Sequence, residues 1–186
     1  MYAIQRLELE HENILAFTDY AQDMALSMME GEDLDLDQLK KMVAFIRTYC
    51  DQHHHQKEED YLFKRMEEDL GDLAVKLVQH GMIVEHNLAR KYVMELDGAI
   101  DDYGQDPSPK NRLEILSYLM AYVHLLRDHA EKENKVVYPF AAKHLSKEAM
   151  DWVDQKTKAV EDLEESKKIY RDFEEFIRFK PEESQD

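Results

Sequence analysis

The chain has 186 residues and a formal net charge of −17, from 24 basic against 41 acidic side chains; such a charge repels phosphate backbones and anionic lipid, which excludes nucleic acid and acidic membrane surfaces as partners. No run approaches the ~20 apolar residues of a membrane span, and 5 Gly with 4 Pro are too few for the turns of an all-β sandwich. Cys50, the single cysteine, cannot form an internal disulfide, and the opening MYAIQRLELEHEN is charged where a secretion signal needs an apolar stretch, so the expectation is an all-α cytoplasmic protein.

Breakers at Gly31, Gly71, Gly104 with Pro107 and Pro109, and near His144–Ser146 cut the chain into five segments of helical length. Their bounds are about 4–30, 35–68, 72–103, 109–143 and 147–179. Each carries apolar residues at a period near 3.6. The first has Ile4, Leu7, Ile14, Leu15, Ala21 and Ala25, and the second has Leu39, Val43, Ile46, Cys50, Tyr61 and Leu62. The third has Leu73, Leu77, Ile83, Val84, Tyr92, Val93 and Leu96; the fourth has Leu116, Leu119, Met120, Val123, Leu126, Val136, Val137 and Phe140. Asp35 followed by Gln38 resembles a capping box, and Ser108-Pro109 reads as an N-cap with a first-turn proline. Short connections between four long helices predict an up-down-up-down four-helix bundle over residues 1–145. The fifth segment, within 146–180 and amphipathic through Trp152, Val153, Val160, Leu163, Ile169, Phe173, Phe176 and Ile177, is an additional C-terminal helix. It packs on the bundle or forms a homodimer with a second copy, and 181–186 is read as a disordered tail.

Histidines and glutamates supply the chemistry. His54 precedes Glu58, His55 precedes Glu59 and His129 precedes Glu133, each by four residues. That spacing sets an imidazole and a carboxylate on one helix face, where both can reach a common metal. Counted from the turns at 1.5 Å per residue, His11, His54, His86 and His129 reach one level to within about a turn, one from each helix of the bundle. The bland alternatives are exposed ion pairs and a bundle, metal-free or zinc-bound, with hydrogen-bonded core histidines.

The motifs HENI at His11, HHQKEEDYLF at His54, EHNLARKYV at His86 and LLRDHAEKENKVVYPFA at His129 resemble the hemerythrin-like family with the HHE cation-binding domain. The resemblance implies two non-haem iron ions held by His11, His54, Glu58, His86, His129 and Glu133. It also implies that Glu58 and Glu133 bridge the ions, with room for an oxo bridge. The respiratory branch of the family has two histidines four apart on the third helix, where this chain has only His86, flanked at that spacing by Met82 and Arg90. It also places an Asp five residues after the fourth-helix His, where this chain has Glu133 at four, so the pattern resembles a two-Glu bacterial variant. Two octahedral ions offer about twelve positions. Four histidines, two bridging carboxylates and one bridging oxygen fill about ten and leave two open, and a fifth histidine leaves one, the arrangement suited to reversible O₂ binding. Further candidate ligands are His55, His80 and Glu59, although His55 is rotated by about 100° from His54 on an α-helix, and His80 lies about 9 Å along the axis from His86.

His124 reads as a core or supporting residue, and His53 and His144 as solvated. Cys50 reads as a buried core thiol, and the acidic runs EGEDLDLD and EDLEESKK as exposed faces. The function expected is binding of O₂, NO or peroxide for sensing, storage or delivery. The alternative is an enzyme that removes peroxide or repairs damaged iron centres.

Overall fold

The structure, a computed structural model, describes the backbone of residues 1–178 and the side chains of residues 1–173. The expected tail at 181–186 and the side chains of Phe176 and Ile177 lie outside the described residues. All the regular elements in the described residues are helical. The first, α1, is Tyr2–Glu30; α2 runs over residues 36–70, α3 over 72–105 and α4 over 109–144. Two shorter helices follow, α5 (Lys147–Glu161) and α6 (Glu164–Arg178). The fifth segment is therefore two helices, a correction to the single helix expected over 147–179. The break comes at Asp162 and Leu163, and Ser166 Oγ closes it by donating to the Val160 carbonyl oxygen at 2.7 Å.

Helix ends follow the local chemistry. Gly31 terminates α1 at φ 95°, a left-handed conformation that leaves its N–H and that of Glu32 bonded to the carbonyls of Met28 and Ser27. Gly71, at φ 71° and ψ −163°, makes the tight reversal between α2 and α3. Asp35 accepts from the Gln38 N–H at 2.9 Å, but the Gln38 amide turns to the Tyr20 hydroxyl, so only half of a capping box forms. Ser108 caps α4 ahead of Pro109. The start of α1 has no side-chain cap of its own; α5 supplies one, because Asp154 accepts from the N–H groups of Tyr2 (3.0 Å) and Ala3 (2.8 Å).

Neighbouring helices pair with opposed numbering. Gln38 meets Tyr20 while Tyr49 meets Asn13; Arg90 meets Asp51 while Lys40 meets Asp97; Arg127 meets Thr18 while Asn134 meets His11. Two apolar clusters fill the interior. One contains Ile14, Phe17, Val43, Phe45, Leu96, Leu119 and Val123; the other contains Ile4, Leu7, Leu62, Phe63, Val78, Val137 and Val153. Helices α5 and α6 pack on α1 and α2 of the same chain, with Trp152 on the second cluster and Ile169, Tyr170 and Phe173 on the first. Leu73, Val84, Val136 and Leu163, expected on buried stripes, are exposed instead.

Three of the four long helices depart from α-geometry. Ile46–His55 and Glu58–Phe63 in α2, Val78–Met82 in α3 and Glu133–Val137 in α4 are π-helical. Closing hydrogen bonds at i→i+5 widens the turn, so each residue rotates the side chains by less than the 100° of an α-helix.

Candidate metal centre

Between the two apolar clusters lies a buried polar group. His11, His54, Glu58, His86, His129 and Glu133, each from its expected helix, come together there with no more than 2% exposure. His11 Nε2 and His54 Nε2 are 3.0 Å apart, as are His86 Nε2 and His129 Nε2. Glu133 Oε2 spans the two pairs, 3.1 Å from His11 Nε2 and 3.2 Å from His129 Nε2. Glu58 Oε2 does the same at 3.7 Å from His54 Nε2 and 3.5 Å from His86 Nε2.

The opposite ring nitrogens explain why these pairs are not ordinary hydrogen bonds. His54 Nδ1 lies 2.9 Å from Glu10, His86 Nδ1 2.6 Å from Glu59 and His129 Nδ1 2.9 Å from Glu85. A carboxylate can only accept, so in each ring Nδ1 carries the proton and Nε2 keeps a lone pair. His11 Nδ1 is held in the same way by Asn134 Oδ1 at 2.8 Å. Four lone pairs and two carboxylates thus face one another, and Glu58 Oε2 and both Glu133 oxygens have no hydrogen-bond donor. Buried acceptors aimed at acceptors are costly unless a cation sits among them.

The electrostatics agree. Burial pushes the Glu58 carboxyl well above its ordinary value, and the neighbouring Glu133 charge adds to the effect. Burial acts on Glu133 in the same sense, but His129, His11 and His86 outweigh it and hold Glu133 well below. Burial lowers His54 to about 4, keeping that imidazole neutral and able to ligate. At His86 burial is outweighed by Glu133 and Glu59, which raise the imidazole, so that without a metal a proton is favoured where a cation would otherwise sit.

The remaining candidates separate clearly. His55 joins the group: one ring nitrogen lies within 4.8 Å of donor atoms on Glu58, His86 and His129, and neither nitrogen has a hydrogen-bond partner. Its ring stacks on His86 with centroids 3.9 Å apart. The 100° rotation that argued against it belongs to an α-helix, whereas His54 and His55 stand in the π-helical stretch Ile46–His55. His80 is exposed although its own stretch is also π-helical, and Glu59 supports His86 Nδ1 on the side away from the group.

Three minor expectations are corrected. His53 is buried at 2% exposure, bonded to Tyr170 Oη at 2.6 Å, because α6 covers it. His124 is exposed, one position past the core residue Val123. The run EDLEESKK is not wholly a solvated face, since Glu161 turns inward to Arg6 and Lys57. Cys50 is buried as expected, and burial pushes its thiol up to about 12, so no thiolate is offered to a metal.

Sequence reasoning found the inner acceptors and missed their supports. Glu10, Glu85 and Asn134 gave no signal beyond being one residue from, or on a helix beside, a candidate ligand. Tyr138, which donates to Glu58 Oε1 at 2.5 Å and stacks on His11, was not singled out by the sequence. A cavity of about 150 Å³ leads to His55; it is lined by Cys50, Ala89, Val93 and Tyr122, with Asp51 and Arg90 also on its wall.

Residues 2–141 match the family model described as hemerythrin HHE cation binding domain. No curated protein and no solved structure matches the chain. Among the described residues no helix is long and apolar enough to cross a membrane.

Proposed function

The chain belongs to the hemerythrin HHE cation-binding domain family, and on that premise we propose that it holds two iron ions in an up-down-up-down bundle and binds O₂, NO or peroxide there. The observation that carries this reading is the convergence of four Nε2 lone pairs on two donor-free carboxylates, each imidazole having its Nδ1 proton already committed. His11 and His54 would hold one ion and His86, His129 and His55 the other, with Glu58 and Glu133 shared between them as the two-Glu pattern implies. Iron bound there supplies the electrons that a small oxidant takes up.

The chain's own residues do the rest. The carboxylates on Nδ1 fix each tautomer and make the imidazoles better donors. The apolar clusters on either side keep bulk water from the ligands, which strengthens every charge interaction inside. A fifth imidazole from His55 would leave one position free instead of two, which favours reversible binding over redox turnover. The cavity that ends at His55 is roomier than a diatomic molecule needs.

Elemental analysis of protein supplied with ferrous iron is expected to find about two ions per chain, with an oxygen-to-iron charge-transfer band after exposure to air. The reduced protein should take up O₂ and release it unchanged under vacuum. A preparation that binds zinc but not iron, or neither, overturns the reading; catalytic consumption of peroxide with no O₂ release replaces binding with an enzyme.

A further inference from the structure

Helices α5 and α6 lie beyond the residues that match the family, yet each sends a side chain into the bundle. Glu161 and Tyr170 meet Arg6, Glu10, His53 and Lys57 in a buried polar cluster. Lys57, 2% exposed, donates to Glu10 Oε1 and, at 2.5 Å, to Glu161 Oε1; its Nζ is 2.9 Å from His53 Nε2. Glu10, His53 and Glu161 are close enough to hold a cation, and the Lys57 ammonium already serves as that cation. Arg6 Nε adds a second positive charge, 3.3 Å from Glu10 and 2.9 Å from Glu161. The Tyr170 hydroxyl lies 2.7 Å from Glu10 Oε1, 3.0 Å from Glu161 Oε2 and 2.6 Å from His53 Nε2, and it donates to Glu10, the nearer of the two carboxylates.

The other oxygen of Glu10 accepts the Nδ1 proton of His54. Glu10 is completely buried, whereas Glu59 behind His86 and Glu85 behind His129 have side chains 26% and 20% exposed. Charge on a fully buried carboxylate is poorly screened, so what touches Glu10 is felt at His54 more strongly than surface changes are felt at the other rings. Two carboxylates, Glu10 and Glu161, face the two fixed cations Arg6 and Lys57 and the His53 ring, and α5 supplies one of the carboxylates.

We propose that the α5–α6 hairpin tunes the metal centre through Glu10, with Glu161 and Tyr170 as positioning residues that act on His54 in opposite senses. This rests on the reading of the centre given above. Removing the Glu161 charge leaves Glu10 facing two cations and takes negative charge from the neighbourhood, so His54 becomes the weaker donor and the reduced ions are favoured. Removing the Tyr170 hydroxyl takes a donor from Glu10, which then draws harder on the His54 proton; the imidazole gains electron density and the oxidised ions are favoured.

The test is a redox titration of the full-length, iron-loaded protein followed by its charge-transfer band. Relative to wild type, the midpoint potential is expected to rise in Glu161→Gln and fall in Tyr170→Phe, with iron content equal in all three. Shifts of the same sign, or none outside the error of the titration, overturn the proposal. If wild type binds no iron, the reading of the centre falls and this inference with it. If wild type binds two ions and both variants titrate as it does, the inference alone fails. Circular dichroism of the metal-free proteins reports folding. Should a variant unfold, site-specific fluorination of the Tyr170 ring, which strengthens the hydroxyl as a donor while keeping its packing, must raise the potential, and an unchanged or lower value overturns the proposal.

Discussion

Glu133 and Glu59 show how position alone divides the work of two similar carboxylates. Glu133 sits between both histidine pairs with its oxygens free of donors, so its charge is available to cations. Glu59 is half-buried, bonded to Arg90 at 2.8 Å, and uses its charge to hold an imidazole proton. Glu133→Gln should therefore reduce bound iron from about two ions per chain to one or fewer, by elemental analysis, without loss of helicity. His80→Ala should leave the iron count unchanged, since that side chain is exposed and away from the group. An equal loss in both variants would contradict the placement of the centre.

Among the helices, π-geometry coincides with some of the donors: it carries His53–His55 and Glu58 in α2 and begins at Glu133 in α4. His11, His86 and His129 stand on α-helical turns, and the π-helical stretch of α3 carries none of the group. His54 and His55, side by side in the π-helical stretch Ile46–His55, both face the buried interior. The C-terminal hairpin is held by ions as well as by apolar contacts, and this gives it a pH signature. At Glu161 burial works to raise the carboxyl, but His53 and Lys57 outweigh it and lower it to about 2. A carboxyl depressed in the folded chain adds stability above its unfolded value, near 4.5, and loses it as pH falls toward 2. Glu161→Gln should thus cost metal-free protein about 1–2 kcal/mol at pH 6, after allowance for solvent screening. In denaturant unfolding the difference from wild type should narrow steadily between pH 4.5 and 2.5; a gap that does not depend on pH would assign the loss to packing.

Taken together, the bundle places a cluster of mutually facing acceptors between two apolar cores, so its stability is linked to cations. Binding that favours the folded chain adds about 2.7 kcal/mol when free metal is a hundredfold above its Kd, and for a chain of this size that amounts to roughly 5–10 °C in Tm. Calorimetry with and without a strong chelator should find the chelated protein less stable by this order. A Tm indifferent to chelation would mean that the acceptors are satisfied without metal.

The rods and their order were legible in the residues because a helix turns apolar residues to one side at a regular interval. Uniform rise along the axis likewise made the depth of His11, His54, His86 and His129 a matter of counting, and a spacing of four put Glu58 and Glu133 beside two of them. Rotation about the axis was not legible where a helix widens, as it does around His55; His124, on regular α-helix, faces water one step past the buried Val123. Nor were the supports legible. Glu10 meets His54 across 44 positions and Tyr170 meets Glu10 across 160, contacts that exist only once the helices pack and water is excluded around them, because only there does one buried carboxylate choose its partners.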